Sequence, residues 1–172
     1  KEMNSGVIKV PKYRSLYIDN SLKDSEMIKV DRDSSFKDII RGIRNVKDSD
    51  FAVPPALKSI LRNYQKTGFR WMKTMAAYGF SGILADDMGI GKTLQVITLL
   101  EDEKLHNSDS LSLVVCPSSL ILNWQSEIEK FSKTLTNIII SGTSDERRVA
   151  IMQCRDYDVV ITSYDYLKRD IE

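Results

Sequence analysis

Ala85-Asp86-Asp87-Met88-Gly89-Ile90-Gly91-Lys92-Thr93 is the stretch on which the reading of this chain turns. Before it, the apolar run Gly82-Ile83-Leu84-Ala85 predicts a short buried strand. After it, Leu94, Ile97 and Leu100 recur at helical spacing, which predicts a helix from Thr93 to about Leu105. A glycine-bearing turn from strand to helix suits phosphate, because the loop's N–H groups and the helix N-terminus converge on an anion. Gly89 and Gly91 allow the backbone to turn and to approach closely. Lys92 stands where its ammonium reaches β and γ phosphates, and Thr93 where its hydroxyl ligates Mg²⁺. The strict glycine-rich phosphate pattern would place a glycine at position 86, where this chain has Asp86, so the match is to a looser form. A plain turn with an exposed lysine would leave the cluster of Gly89, Gly91, Lys92 and Thr93 unexplained. Asp86 and Asp87 are expected to shape the turn and to point away from the anion.

Outward from this loop, strands and helices alternate. A helix is predicted from about Asn63 to Tyr78, with Phe69, Met72, Met75 and Ala76 on one face and Gly79 as its stop. Strands are predicted at Leu111–Cys116, Asn137–Ser141 and Asp158–Ser163. A helix should follow Pro117, carrying Leu120, Trp124, Ile128 and Phe131. Thr143-Ser144-Asp145-Glu146 has capping-box spacing and should open another. Apolar strands separated by helices mean βαβ units and right-handed crossovers. The expected fold is therefore α/β, a doubly wound parallel sheet covered on both faces, with ligands at the carboxyl ends of its strands.

Composition sets the bounds. The chain has 172 residues, is 42% hydrophobic and 28% charged, and carries 8 Gly and 4 Pro. That is globular composition with enough length for a sizeable core. No apolar run approaches the roughly 20 residues of a bilayer span. Cys116 and Cys154 suit a reducing compartment, and with the single His106 they match no zinc spacing. Net charge is +1, but it divides unevenly: +2 over residues 1–50, +5 over 51–85, and −6 over 86–172. A boundary falls near Phe51-Ala52-Val53-Pro54-Pro55, which separates a segment 1–50 from a main unit 51–172. In the first segment, Val7–Ile18 reads as strand or helix, Met27–Val30 as a strand, and Ser35-Phe36-Lys37-Asp38 as a capping box ahead of a short helix. The acid-free set Lys58, Arg62, Lys66, Arg70 and Lys73 lies along one drifting helical face, either solvated or facing phosphates. Trp71 and Trp124 are expected in the core, Cys116 as an inert buried thiol, and His106 in solvent.

The motifs then resemble a known family. Leu61-Arg62-Asn63-Tyr64-Gln65-Lys66-Thr67-Gly68-Phe69-Arg70-Trp71-Met72 is similar to the glutamine motif of the Swi/Snf-type DNA translocases, ATPases of helicase superfamily two. Ile83–Thr93 resembles their first motif, usually Asp-Glu-Met-Gly-Leu-Gly-Lys-Thr, with Asp87 in place of Glu and Ile90 in place of Leu. Val114-Val115-Cys116-Pro117-Ser118-Ser119-Leu120, with Trp124, resembles motif Ia. Val159-Val160-Ile161-Thr162-Ser163-Tyr164 resembles the following strand and its DNA-facing end. Residues 1–50 resemble the tail of the accessory region in the bacterial branch.

The resemblance implies a P-loop NTPase of RecA-like type, with this chain forming the N-terminal part of lobe 1 behind a small α/β appendage. It implies ATP and Mg²⁺, with Lys92 as the catalytic lysine and Thr93 as the metal ligand. Arg62, Tyr64, Gln65, Asp87, Met88, Gly89, Ile90 and Gly91 would complete the nucleotide site. Gln65 would read the adenine edge, and Arg62 or Tyr64 would help pack the base. Ser118, Ser119 and Thr162 would contact the phosphate backbone of the tracked DNA strand. Implied partners are duplex DNA and proteins moved along it, with no membrane, in the cytoplasm at a bacterial nucleoid. The family's next motif, an Asp-Glu pair, and its second lobe do not occur in these 172 residues. The chain is thus expected to be a piece of a larger motor that binds nucleotide weakly and does not turn it over alone. Two other readings stay open at this point. One is a nucleotide-binding interaction module that does not translocate. The other is a different superfamily-two motor, such as a restriction-enzyme subunit.

Overall fold

The computed structural model describes residues 3–4, 7–8, 11, 14–22, 31–45 and 50–171. Tyr13 and the strand expected at 27–30 lie outside these residues. The N-terminal part opens on an antiparallel pair, β1 (Met3–Asn4) and β2 (Val7–Ile8). Helices α1 (Ser15–Leu22) and α2 (Ser34–Arg44) follow. Buried Asp19 on α1 accepts a bond from Arg32 Nε at 2.6 Å, which ties α1 to the approach of α2. The cap of α2 is Asp33, whose carboxylate accepts from the Phe36 N–H at 2.7 Å. It displaces the expected Ser35 box because a charged acceptor also meets the positive end of the helix dipole.

Past the Pro54-Pro55 step come the short α3 (Pro55–Lys58) and then α4 (Asn63–Ala77). Gly79, at φ 72°, ends α4, and the Phe80 N–H returns to the Met75 carbonyl at 2.8 Å. Helix α5 (Lys92–His106) packs beside α4 around Val53, Leu57, Leu61, Phe69 and Leu94, all buried. Part of the acid-free basic set is spent on this packing. Lys73 pairs with buried Asp102 at 2.7 Å, and Arg70 Nε donates to the Phe51 carbonyl at 3.3 Å. The face is therefore neither wholly solvated nor wholly presented to phosphates, because acids and carbonyls distant in sequence meet it.

The sheet has three parallel strands in the order β3 (Ser112–Cys116), β5 (Val159–Ser163), β4 (Asn137–Ile140). Ile161 is registered between Val114 and Ile139. All five residues of central β5 are buried. Period 2 divides the strand between two faces. Val159 and Ile161, with Cys116, pack against Ile97 of α5 and against Ile121 and Ile128 of α6 (Ile121–Phe131). Val160 and Thr162 face Ile151 and Leu167, from α7 (Ser144–Gln153) and α8 (Tyr164–Asp170). Helices thus lie on both faces of a parallel sheet, as the alternation requires.

Trp124 is half-buried against the first of these faces, and Trp71 is half-buried over Gly82. His106 is largely exposed, with Nδ1 2.7 Å from the Asp102 carbonyl oxygen. One expected strand is absent. Residues 82–85 are irregular, and Ile83 is 87% exposed. A strand needs a ladder partner, and among the described residues none lies beside this run.

Candidate nucleotide-binding site

The loop ahead of α5 is shaped by its glycines. Gly89 (φ 82°) and Gly91 (φ 79°) take the left-handed conformation that other residues resist. Gly91 is the N-cap of α5, so the first N–H groups of a 15-residue helix open onto the loop. Lys92 and Thr93 start the helix and are half-buried. Lys92 Nζ donates to the carbonyls of Asp86 and Asp87, each at 2.7 Å, which gathers the loop around the ammonium. Asp86 is half-buried, and its carboxylate accepts from Gln95 Nε2 at 3.0 Å, which ties the loop to α5. Asp87 and Met88 are exposed, Met88 at 95%.

Helix α4 grips this loop from the side. The Tyr64 hydroxyl donates to the Ile90 carbonyl at 2.8 Å, and Gln65 Nε2 donates to the same oxygen at 3.0 Å. Gln65 Oε1 accepts from the Arg62 N–H at 2.9 Å. With 5% of its surface exposed and both ends of its amide used, Gln65 does not display a donor–acceptor pair to an adenine edge here. It is a strut between the start of α4 and the loop. Tyr64 is likewise bonded to the loop through its hydroxyl, where the resemblance implied that it or Arg62 would help pack the base. Arg62 is exposed at the N-cap of α4.

Gln95 is a residue the sequence reading missed. It is fully buried on α5 beneath Gly68, and a side chain at Gly68 would strike its amide. A hydrophilic residue at that helical position has no one-dimensional sign of burial. Its partners, Asp86 and Gly68, are brought to it by the fold.

Ser118 and Ser119 are exposed in a single 3₁₀ turn directly after β3. Thr162 is not accessible alongside them. It is 3% exposed, and its hydroxyl donates to the Ile140 carbonyl at 3.0 Å. Residues near the carboxyl ends of β3 and β5 thus divide, with the two serines outward and Thr162 closing the β4–β5 seam. The exposed residue after β5 is Tyr164, at 61%.

The donor set fits a phosphate: one lysine, one threonine hydroxyl and a glycine-bearing helix start. Among the described residues, no three His, Cys, Asp or Glu side chains gather to hold a metal. A divalent ion here would rely on the Thr93 hydroxyl together with phosphate oxygens. Among the described residues, no helix is long and apolar enough to cross a membrane.

Over most of its length the chain is similar to known proteins. The SNF2-related domain matches residues 64–172, and the bacterial SNF2 helicase associated domain matches residues 1–54. The TATA-binding protein-associated factor MOT1 of Saccharomyces cerevisiae is 36% identical over 137 residues, covering 73% of this chain and 7% of that protein. An uncharacterized ATP-dependent helicase of Mycoplasma pneumoniae is 39% identical over 113 residues, covering 65% of this chain and 11% of that protein. The chain therefore spans only a small part of the length of these relatives. Among solved structures, the Sulfolobus solfataricus SWI2/SNF2 ATPase core in complex with dsDNA superposes with a TM-score of 0.57 at 43% identity. It covers 64% of this chain and 22% of the solved one. With more than half of its length matched, and with its phosphate loop, α4 and parallel sheet inside the match, this chain belongs to the SNF2-related domain family.

Proposed function

We propose that this chain supplies the ATP-binding surface of an ATP-driven motor that moves along duplex DNA. The observation that carries the reading is the loop of residues 86–93, where Lys92 and Thr93 open α5 directly after Gly89 and Gly91, both of positive φ. Bound ATP with Mg²⁺ would supply the phosphoryl group whose hydrolysis drives the motor. Lys92, which here bonds the Asp86 and Asp87 carbonyls, would hold β and γ phosphate oxygens through charge-assisted bonds. The Thr93 hydroxyl would be the chain's ligand to the metal ion. The α5 N-terminus and the Gly91 N–H would bind the phosphate oxygens and stabilise their negative charge.

Ser118 and Ser119, outward at the end of β3, are the proposed contacts to a DNA backbone. Thr162 supports that edge from inside. Support for duplex DNA comes from the similar SWI2/SNF2 ATPase core of Sulfolobus solfataricus, solved in complex with dsDNA. Proteins displaced along DNA, and a place at a bacterial nucleoid, belong to the same proposal. Residues 1–50 form an accessory element, and residues 51–172 belong to the motor lobe.

Isothermal titration with Mg·ATP tests the reading. Lys92→Ala should weaken binding about tenfold or more, the size expected for losing bonds to a charged group. Equal affinity in the two proteins would refute the nucleotide site.

A further inference from the structure

We infer that Tyr64 is a positioning residue for phosphate binding, acting through the Ile90–Gly91 peptide. The inference rests on the nucleotide reading above and goes beyond it in giving Tyr64 a task at the phosphate end rather than at the base. Two donors meet one acceptor: the Tyr64 hydroxyl at 2.8 Å and Gln65 Nε2 at 3.0 Å both bond the Ile90 carbonyl oxygen. A carbonyl oxygen has two lone pairs, so this pair of bonds saturates it.

The peptide that carries this oxygen is trans, as are all those described. In a trans peptide the C=O and the following N–H point in opposite directions. Drawing the Ile90 oxygen toward α4 therefore turns the Gly91 N–H away from α4. Gly91 also caps α5, so its N–H is the first of the helix-start donors that an anion meets.

The clamp matters because this peptide can rotate. Turning it over changes ψ at residue 90 and φ at residue 91, and glycine accepts either sign of φ at little cost. The turned form would point the Ile90 oxygen where a phosphate oxygen must sit, and two partial negative charges would face each other. Gln65, anchored through Oε1 by the Arg62 N–H, supplies one of the two donors. The Tyr64 hydroxyl is 26 residues distant in sequence and holds the same oxygen independently. Its ring is partly exposed, so removing the hydroxyl removes the bond while leaving the packing.

The test compares the full chain with Tyr64→Phe, using ATP, inorganic tripolyphosphate and adenosine as probes, with thermal melting as the check on folding. Loss of one neutral hydrogen bond that acts through a loop predicts about fivefold weaker binding of both ATP and tripolyphosphate. Adenosine should stay within about twofold. In a ¹⁵N–¹H spectrum without nucleotide, the Gly91 amide should shift, while amides of β5 stay in place. Unchanged tripolyphosphate binding overturns the inference. So does a parallel fall for adenosine, which would assign Tyr64 to the base. If Tyr64→Phe melts, Gln65→Leu removes the other donor from the same oxygen and takes the same readout. A wild-type chain that binds neither ATP nor tripolyphosphate would overturn the nucleotide reading itself, and this inference with it. Binding by wild type that Tyr64→Phe leaves intact would overturn the inference alone.

Discussion

Gly89 and Gly91 hold nearly the same backbone angle, at φ 82° and 79°, yet a methyl group at each would meet different surroundings. At Gly89 nothing lies within 4 Å of the added carbon. Gly89→Ala then costs only the left-handed penalty, about 1–2 kcal/mol. At Gly91 the carbon would sit 2.6 Å from Gln65 Nε2, the donor that holds Ile90. Gly91→Ala should therefore lose more stability than Gly89→Ala in urea titration, and should weaken ATP binding by displacing that donor. Equal losses would show that the Gln65 strut carries no load. The glycine, lysine and threonine of this loop are legible in the sequence because their spacing lies within one turn of chain. The uses of Gln65 and Thr162 are not, since their partners Ile90 and Ile140 lie 25 and 22 residues away. Residue type announced a polar role for both, and only the fold decided that the role was internal.

Single elements are held by caps and charges at their ends. Helix α7 opens on the box read from the sequence: Thr143 accepts from the Glu146 N–H, and Glu146 accepts from Thr143 at 2.7 Å. Thr143→Ala should cost about 1 kcal/mol, the usual value for a lost N-cap, measured as a shift in urea midpoint. At the entry to β5 stands Asp158, buried between the Lys104 ammonium and the N–H and hydroxyl of Thr136. Burial pushes its carboxyl up. Lys104 and the two Thr136 donors outweigh that, so it titrates below the ordinary 3.8. As pH falls, the unfolded chain takes up this proton before the folded one. The stabilising effect is complete above 3.8 and is lost as pH falls through the lower folded value. Glu146, through its Thr143 bonds, and Asp170, through Arg147, move in the same direction. Asp158→Asn should lower the urea midpoint at neutral pH and flatten its decline in acid. An unchanged acid slope would place the titration elsewhere. Helix α7 and β3–β5 were readable because caps and apolar periods are local, whereas the cap of α2 fell at Asp33 rather than at Ser35. The run at 82–85 misled because apolar composition supplies half of a strand, and a neighbouring ladder supplies the rest.

Across the whole molecule, α4 joins the two parts. One side of it is fixed to α5 by the Lys73–Asp102 pair and the core around Phe69 and Leu94. The other meets α2, where the Tyr78 hydroxyl donates to the Asp38 carbonyl at 3.3 Å and the Tyr78 ring lies against Gly42. Gly42 sits in the interior of α2, where glycine costs helix stability relative to alanine. Its value there is space, since a side chain at this position would overlap the Tyr78 ring. Gly42→Val should therefore part α2 from α4 at an overpacking cost of about 1–3 kcal/mol. The side that holds α5 and the sheet has its own cores and should not share that loss. Hydrogen exchange reads the two separately. Amides of α2 should exchange about tenfold faster or more, tenfold being about 1.4 kcal/mol of opening free energy, while amides of β5 stay within about twofold. If β5 accelerates to the same extent, the N-terminal helices and the sheet open as one unit, and α4 is then a continuous part of a single core. If only α2 accelerates, the N-terminal helices dock on α4 through one ring and one glycine, and they can be loosened without disturbing the loop of residues 86–93 at the far end of that helix.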